Sequence, residues 1–226
     1  MLNIRNLSKS YYQKKVLNGI SLSFEKGKVY GIIGENGAGK TTLFRCIAHF
    51  EDYEGEVACA EHLNLKSVLG FLQTDPFFFA KITGREYLHL LCHARNIPET
   101  DFDAQNIFDL PLNQYAETYS TGMKKKLALL AILIQKNEVF ILDEPFNGVD
   151  IQSNILIKQL ILRLKALNKI VIMSSHIFST LNDTCDELHL LKNGIIVKSA
   201  EKAGFDALER DLIGVAIDNK LEKLNL

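Results

Sequence analysis

One glycine-rich stretch of nine residues carries the clearest chemistry in this chain: Gly34-Glu35-Asn36-Gly37-Ala38-Gly39-Lys40-Thr41-Thr42. It fits the pattern G-x-x-x-x-G-K-[ST], in which glycines let backbone N–H groups approach an anion at a helix N-terminus. Lys40 would bring a charge to the β- and γ-phosphates, and the Thr41 hydroxyl would ligate Mg²⁺. The alternative, a glycine turn that only joins a strand to a helix, is disfavoured because every position matches. The stretch predicts binding of a nucleoside triphosphate.

A second chemical feature is the carboxylate pair Asp143-Glu144, which follows the apolar run from Val139 to Leu142. Phosphoryl transfer needs a carboxylate that holds the metal and a group that activates water. Asp143 is the candidate for holding Mg²⁺, directly or through water, and Glu144 is the candidate general base. The alternative is that the two carboxylates simply begin a polar loop after the strand.

The elements that must position these residues alternate between strands and helices. Apolar runs predict buried strands at Val29–Ile33, Val139–Leu142 and Ile170–Met173. Further strands are predicted at Leu2–Leu7, Val16–Phe24 and around Ser67–Leu72, and a hairpin turns at Asn193-Gly194. Helical patterns cover the ranges 41–50, 83–108, 123–135 and 151–167. The alternation predicts an α/β fold: a P-loop NTPase core with a parallel sheet, an N-terminal antiparallel β-subdomain and an inserted helical subdomain.

We expect one domain over residues 1–226. The nucleotide-binding core would comprise residues 1–74 and 136–200, and the helical subdomain about residues 75–135. Residues 201–226 form a predicted helical tail, with apolar residues at positions 205, 208, 212, 213, 217, 221 and 224. This amphipathic pattern is typical of a helix that covers its own domain, and a regulatory or dimerising arm is the alternative.

Composition excludes several classes of function. A net charge of −1 over 226 residues does not favour electrostatic binding to nucleic acid, so no nucleic-acid partner is expected. The sequence shows no signal peptide and no apolar run of about 18 residues that would cross a membrane. The four cysteines are scattered without a C-x-x-C pair, which is typical of reduced thiols in a cytosolic setting.

Seven motifs in a fixed order then give a more specific indication. Besides the glycine-rich loop and the carboxylate pair, they are Tyr11, Gln73 after a strand, Tyr119-Ser120-Thr121-Gly122-Met123-Lys124, Gly148-Val149-Asp150, and His176 after Ser174-Ser175. From near Leu2 to about Ser199 the chain resembles the ATP-binding subunit of an ABC transporter. The segment beginning at Tyr119 is similar to the family signature, usually written L-S-G-G-Q.

The resemblance implies roles for these residues. Tyr11 would stack on adenine, although Tyr12 leaves the register open by one and packing on the sheet is the alternative. Gln73 would reach Mg²⁺ or the attacking water, and His176 would donate a hydrogen bond to the γ-phosphate. Asp150 would act across a subunit interface, or as a helix N-cap before Ile151, or both.

The signature would bind nucleotide on an opposing subunit. Ser120 and Gly122 are retained, and the hydroxyl, the glycine N–H and the helix N-terminus together suit a γ-phosphate. Tyr119, Thr121 and Met123 replace the family's Leu, Gly and Gln, and a β-branched threonine stiffens a position where glycine is usual. We interpret the lysines at 124 to 126 as a solvated helix face, with approach to phosphate as the alternative.

The resemblance also implies cofactors and partners. ATP and Mg²⁺ would be bound, ATP would be hydrolysed, and a second ATP-binding subunit, a copy or a paralogue, would complete the site. Separate transmembrane permease subunits would hold the chain at the inner, cytoplasmic face of the cell membrane, and the short segment between Gln73 and Ser120 resembles exporter subunits. Phe77–Phe79 would dock on the permease or, alternatively, anchor the helical subdomain internally.

Four other classes of protein are alternatives to an ABC transporter subunit. A soluble ABC-type ATPase acting on ribosomes or nucleic acid would usually carry two modules or a long coiled-coil insertion. A GTPase would need an N-K-x-D motif, which the sequence lacks, and a P-loop kinase would not explain the signature together with His176. A pseudoenzyme that only clamps ATP would not need Glu144.

Overall fold

The computed structural model describes residues 1–62, 64–98 and 101–213, with side chains described up to residue 210. The strands are β1 Leu2–Tyr11, β2 Lys14–Phe24, β3 Lys28–Ile33, β4 Glu54–Cys59, β5 Leu69–Leu72, β6 Val139–Leu142, β7 Ile170–Ser174, β8 Glu187–Lys192 and β9 Ile195–Glu201. The α-helices are α1 Lys40–Ile47, α2 Gly84–His93, α3 Thr121–Ile134, α4 Ile151–Ala166, α5 Phe178–Thr184 and α6 Phe205–Ile213. Within these ranges no helix has the length and apolar character needed to cross a bilayer.

The N-terminal sheet is antiparallel, as predicted, with strand order β2-β1-β4. Its two long strands follow from the alternation of apolar and polar residues in the sequence. Leu2 and Ile4 of β1 and Leu22 and Phe24 of β2 point inward. The connection between the two predicted strands Leu2–Leu7 and Val16–Phe24 is shorter than expected, because β1 and β2 extend until only Tyr12 and Gln13 separate them.

The second sheet has strand order β5-β6-β7-β3-β8-β9. Every neighbouring pair from β5 to β8 is parallel, and only the hairpin β8–β9 is antiparallel. The predicted parallel core is therefore confirmed. Parallel strands put their carboxyl ends at one edge, so the residues that follow β3, β5, β6 and β7 all emerge together.

One predicted helix is wrong in length. The pattern over residues 83–108 predicts helical structure punctuated at Pro98, but α2 already ends at His93. Thr83 and Glu86 form a capping box at its start. Asn96 then takes a left-handed conformation with φ of 52°, and Pro98 follows, so the helix cannot continue and the leucines and aromatics beyond pack from turns.

Two apolar cores flank the parallel sheet. One lies between the two sheets and includes Phe44 and Ile47 of α1. The other lies on the opposite face, where α3, α4 and α6 cover the sheet. The start of the predicted tail belongs to this second core, since Phe205 and Leu208 are buried. The predicted helical positions from 214 to 226 lie outside the described residues.

Candidate nucleotide-binding and catalytic site

The glycine-rich loop runs from the end of β3 into α1. Gly39 is the N-cap of α1 at φ of 111°, a left-handed value that side-chain-bearing residues rarely adopt. No side chain caps this helix start, and no acidic residue lies in its first turn. The backbone N–H groups at the helix start and the positive end of its dipole are thus free to bind an anion.

Lys40 is buried within this loop. Its Nζ donates to the carbonyl oxygens of Gly34 at 2.7 Å and Glu35 at 3.1 Å. Burial lowers the pKa of Lys40, while the charges of Glu144 and Asp143 act in the opposite direction. The ammonium group is therefore held inside the loop and faces the two carboxylates across the cleft.

Asp143 is the hub of a hydroxyl network. Its Oδ2 accepts from Thr41 at 2.7 Å and from Thr74 at 2.8 Å, and its Oδ1 accepts from Ser174 at 2.6 Å. The three donors come from α1, the loop after β5 and β7, and they meet Asp143, in the loop after β6, only in the fold. A buried carboxylate held by hydroxyl groups supplies the hard oxygen ligands that Mg²⁺ prefers.

Glu144 adopts a left-handed conformation with φ of 53°. Its N–H donates to Ser174 Oγ at 3.0 Å, and its Oε2 accepts from the backbone N–H of His176 at 3.2 Å. The side-chain Nε2 of His176 is 3.1 Å from Oε1, but the contact does not meet hydrogen-bond geometry, so Oε1 is buried without a hydrogen-bond donor among the described residues. Burial raises the pKa of Glu144, against the lowering effect of His176 and Lys40.

These residues line one cleft of about 290 Å³. The predicted site residues that line it are Asn36, Gly37, Gly39, Lys40, Thr41, Thr42, Asp143, Glu144 and His176. Gly34, Glu35 and Ala38 belong to the same loop but are not among the described residues that line the cleft. Tyr11, Gln73, Ser120, Gly122 and Asp150 are not among the described residues that line the cleft.

The predicted signature and the Asp150 segment lie against each other. Ser120 caps α3 by accepting from the backbone N–H of Met123 at 3.2 Å. Asp150 caps α4 by accepting from Ser153 N at 2.8 Å, so its predicted alternative as an N-cap is realised in the single chain. A Cβ on Gly122 would lie 2.6 Å from the carbonyl oxygen of Gly148, which explains why this position holds glycine.

Tyr11 and Gln73 occupy separate surfaces. Tyr11 is 38% exposed near the end of β1, where Lys9 Nζ lies 4.9 Å from its ring centroid. Gln73 lines a second groove of about 310 Å³ together with Phe77 and Arg95.

The three phenylalanines at positions 77 to 79, predicted either to dock on the permease or to anchor the helical subdomain, differ in exposure. Phe78 packs against Tyr87 at a centroid distance of 4.6 Å, whereas Phe77 and Phe79 are 71% and 55% exposed.

Three residues of the site were not anticipated from the sequence. Thr74 follows Gln73, and Ser174 lies two residues before His176. A hydroxyl close to a motif residue at a strand end is a signal that could have found them.

The interpretation of Lys125 as solvated with its neighbours is wrong: it is 2% exposed and donates to backbone carbonyls of the Glu144 loop. A charge run on a helix must place some members inward, because successive residues turn by about 100°.

Comparisons with known proteins identify the family. The family described as ABC transporter matches residues 17–147. The lantibiotic transport ATP-binding protein SrtF of Streptococcus pyogenes is 28% identical, and the match covers 92% of this chain and 94% of that protein. The uncharacterized ABC transporter ATP-binding protein all4389 of Nostoc sp. is 30% identical over 81% of this chain, which spans 59% of that relative's length.

A solved structure shares the fold. It is the dimeric post-hydrolysis state of an ATP-binding cassette bound to ADP and Pi, which superimposes with a TM-score of 0.81 at 18% identity over 89% of this chain and 99% of that chain. Because the family match covers more than half of the sequence, including the glycine-rich loop and the carboxylate pair, the assignment does not depend on any single motif. The chain belongs to the ABC transporter family, in which it is an ATP-binding subunit with ATPase activity.

Proposed function

We propose that Glu144 is the general base that activates water for ATP hydrolysis in this subunit. The observation that carries the proposal is that Glu144 lines the cleft and that its buried Oε1 has no hydrogen-bond donor among the described residues. A raised pKa brings a carboxyl group closer to the operating pH, which favours general-base catalysis. His176, adjacent to Glu144, would donate to the γ-phosphate.

The triphosphate would bind at the start of α1. Its charge would be met by the free N–H groups of the 34–42 loop and by Lys40, and Tyr11 would stack on the adenine ring. Thr41 and Asp143 fit the role of Mg²⁺ ligands because their oxygens already lie 2.7 Å apart, with Gln73 as the third predicted ligand. The bound metal would supply charge neutralisation on the phosphate oxygens.

Two such chains, or this chain and a paralogue, would form the complete site. Ser120, Gly122 and Asp150 do not line the cleft of their own chain, although the resemblance assigns them to nucleotide binding. The helix start at Ser120 would instead cover the γ-phosphate bound by the partner subunit.

A single substitution tests the role of Glu144. We expect Glu144→Gln to lower the turnover of ATP by about 10²- to 10⁴-fold, the usual contribution of a general base, while ATP binding persists. Glu187→Gln is the matched control, because burial also raises the pKa of Glu187 but it lies outside the cleft. Turnover by Glu144→Gln at the parent rate would remove Glu144 from its proposed role.

We further propose that the groove beside Gln73 docks a separate transmembrane permease. Phe77 lines this groove and packs edge to face with Phe79 at 5.4 Å. Both rings are largely exposed, and an exposed apolar patch of this kind is typical of an interaction site. Docking there would hold the chain at the cytoplasmic face of the membrane and let ATP-driven movement of the Gln73 loop reach the permease. The resemblance to exporter subunits favours outward transport.

Affinity purification from detergent-solubilised native membranes tests the docking. The tagged chain is expected to retain a polytopic membrane protein in stoichiometric amount, and the double variant Phe77→Ser/Phe79→Ser is expected to lose it. Ile195→Ser, which removes an exposed apolar side chain from β9, is the matched control. Retention of the chain by ribosomal proteins or nucleic acid from the soluble fraction would favour the alternative class.

A further inference from the structure

Lys125 is a buried lysine in the second core of the protein. Only 2% of its surface is exposed, whereas lysine side chains are almost never buried without partners. Its Nζ donates to two backbone carbonyl oxygens, that of Glu144 at 2.8 Å and that of Asn147 at 2.9 Å. The charges of Asp75, Glu144 and Asp143 oppose the lowering of its pKa by burial. The ammonium group thus has both hydrogen-bond acceptors and compensating charge.

The two carbonyls bonded by Lys125 mark the ends of one turn. Within this turn the N–H of Asn147 also donates to the carbonyl of Glu144, at 3.2 Å. Glu144 takes a left-handed conformation there, which is unfavourable by roughly 1–2 kcal/mol for a residue with a side chain. Such a conformation persists only where surrounding contacts maintain it. Lys125 provides the side-chain contact that bonds both ends.

The backbone conformation of Glu144 determines where its carboxylate lies. With φ of 53°, the side chain enters the cleft beside His176, and the backbone N–H bonds Ser174. A change of that conformation would move the carboxylate without altering any residue that binds phosphate. Because a displacement of about 1 Å can lower a rate by about 100-fold, the turn is a sensitive point for hydrolysis.

We propose that Lys125 is a positioning residue for ATP hydrolysis, which holds the turn from Glu144 to Asn147 and so keeps the Glu144 carboxylate in the cleft. The inference rests on the proposed role of Glu144. Lys125 does not line the cleft, so it acts through the turn and not by contact with ATP. The neighbouring Lys126 forms an ion pair with Asp150 instead, and the proposed role does not extend to Lys124.

The substitution Lys125→Met keeps the length and apolar stem of the side chain but removes the donors and the charge. We expect kcat to fall by about 10- to 100-fold, with the KM for ATP and the affinity for a fluorescent ATP analogue within about twofold of the parent. Lys158→Met, which breaks an exposed ion pair with Asp183, is the control for loss of a lysine charge. Lys125→Gln keeps a hydrogen-bond donor. We therefore expect it to lower kcat by a smaller factor than Lys125→Met, again with little change in the KM for ATP.

The double variant Lys125→Met/Glu144→Gln separates positioning from a general structural effect. If Lys125 acts through Glu144, the double variant has the single-turnover rate of Glu144→Gln alone, because the effects of residues that act as a unit do not add. Three outcomes would each overturn the inference. The first is a double variant that loses further rate by the factor seen for Lys125→Met alone. The others are a raised KM for ATP in both Lys125→Met and Lys125→Gln, and an unchanged kcat in both. If Glu144→Gln itself retains the parent rate, the proposed function fails first and independently of Lys125.

Discussion

At the scale of single residues, two adjacent carboxyl groups have been given different surroundings. Asp143 accepts hydrogen bonds on both oxygens from three hydroxyl groups, which is the environment of an anion that is to hold a cation. Glu144 has one oxygen without a donor among the described residues, and burial raises its pKa. Pairs of titratable groups whose environments differ in this way commonly divide acid–base roles between them. The division supports Asp143 as metal ligand and Glu144 as base.

Ser174 is the residue that contacts both groups. We expect Ser174→Ala to lower turnover by about 10- to 100-fold, as loss of an outer-shell partner does, and to destabilise the fold by about 1–3 kcal/mol. The reason is that the substitution leaves a buried Asp143 oxygen and the Glu144 N–H without this partner. Steady-state ATPase assays and urea unfolding measure the two effects.

The adjacent serine offers a matched control for this prediction. Ser175 is also buried, but its hydroxyl accepts from the N–H of Ile177 and contacts neither carboxylate. Ser175→Ala is therefore expected to keep most of the turnover. Equal losses in the two variants would contradict a specific role of Ser174.

At the scale of elements, α3 and the loop after β6 pack closely against each other. The backbone of Gly122 in α3 approaches the carbonyl of Gly148, and Lys126 pairs with Asp150 at 3.2 Å one turn further along. These contacts join the signature helix to the loop that carries Asp150. The two segments proposed to face the partner subunit therefore form one continuous surface within each chain.

Gly122→Ala tests this contact. The added Cβ would lie 2.6 Å from the Gly148 oxygen, a distance at which the helix or the loop must shift. We expect the free energy of unfolding to fall by about 1–3 kcal/mol, as in other overpacked sites, although alanine is the better helix former. The midpoint of urea unfolding measures the change. A variant as stable as the parent would show that the two elements separate easily.

At the scale of the whole molecule, the two sheets pack face to face around a buried histidine. His189 of β8 stacks on Tyr30 at 6.0 Å and bonds Ser199 through Nδ1 at 2.7 Å, while its Nε2 has no hydrogen-bond partner among the described residues. Burial lowers the pKa of His189 from 6.5 to about 4. The folded protein therefore holds this ring in its neutral form.

A specific dependence of stability on pH follows from this burial. Between pH 6.5 and about 4 the unfolded chain binds the proton that the folded protein excludes, so stability is full above pH 6.5 and falls as the pH decreases. We expect His189 to account for a loss of about 2 kcal/mol between pH 7 and pH 5. Urea unfolding at the two pH values measures it, and His189→Gln should remove this share of the loss.

The control is a histidine on the surface. His93 is exposed at the end of α2, so His93→Gln should leave the pH dependence of the parent intact. Equal pH dependence in the parent and in His189→Gln would show that the ring is protonated without cost.

The sequence alone determined the chemistry and the class of fold. The loop from Gly34 to Thr42 and the pair Asp143-Glu144 were recognisable because their function depends on residue types at short spacing. The parallel sheet and the hairpin at Asn193-Gly194 followed from apolar runs and turn residues, which are equally local signals. These predictions needed no knowledge of which distant segments meet.

The tertiary structure decided what depends on distant contacts. Periodicity predicted a helix over residues 83–108, but left-handed Asn96 and packing from turns ended it at His93. The lysine run placed Lys125 on a solvated face, whereas the loop after β6 supplies two carbonyls that make its burial possible. The partial burial of Phe78 also depends on its contact with Tyr87 of α2, whereas Phe77 stays exposed. A side chain's environment is set by what packs against it, and that information is absent from its neighbours in sequence.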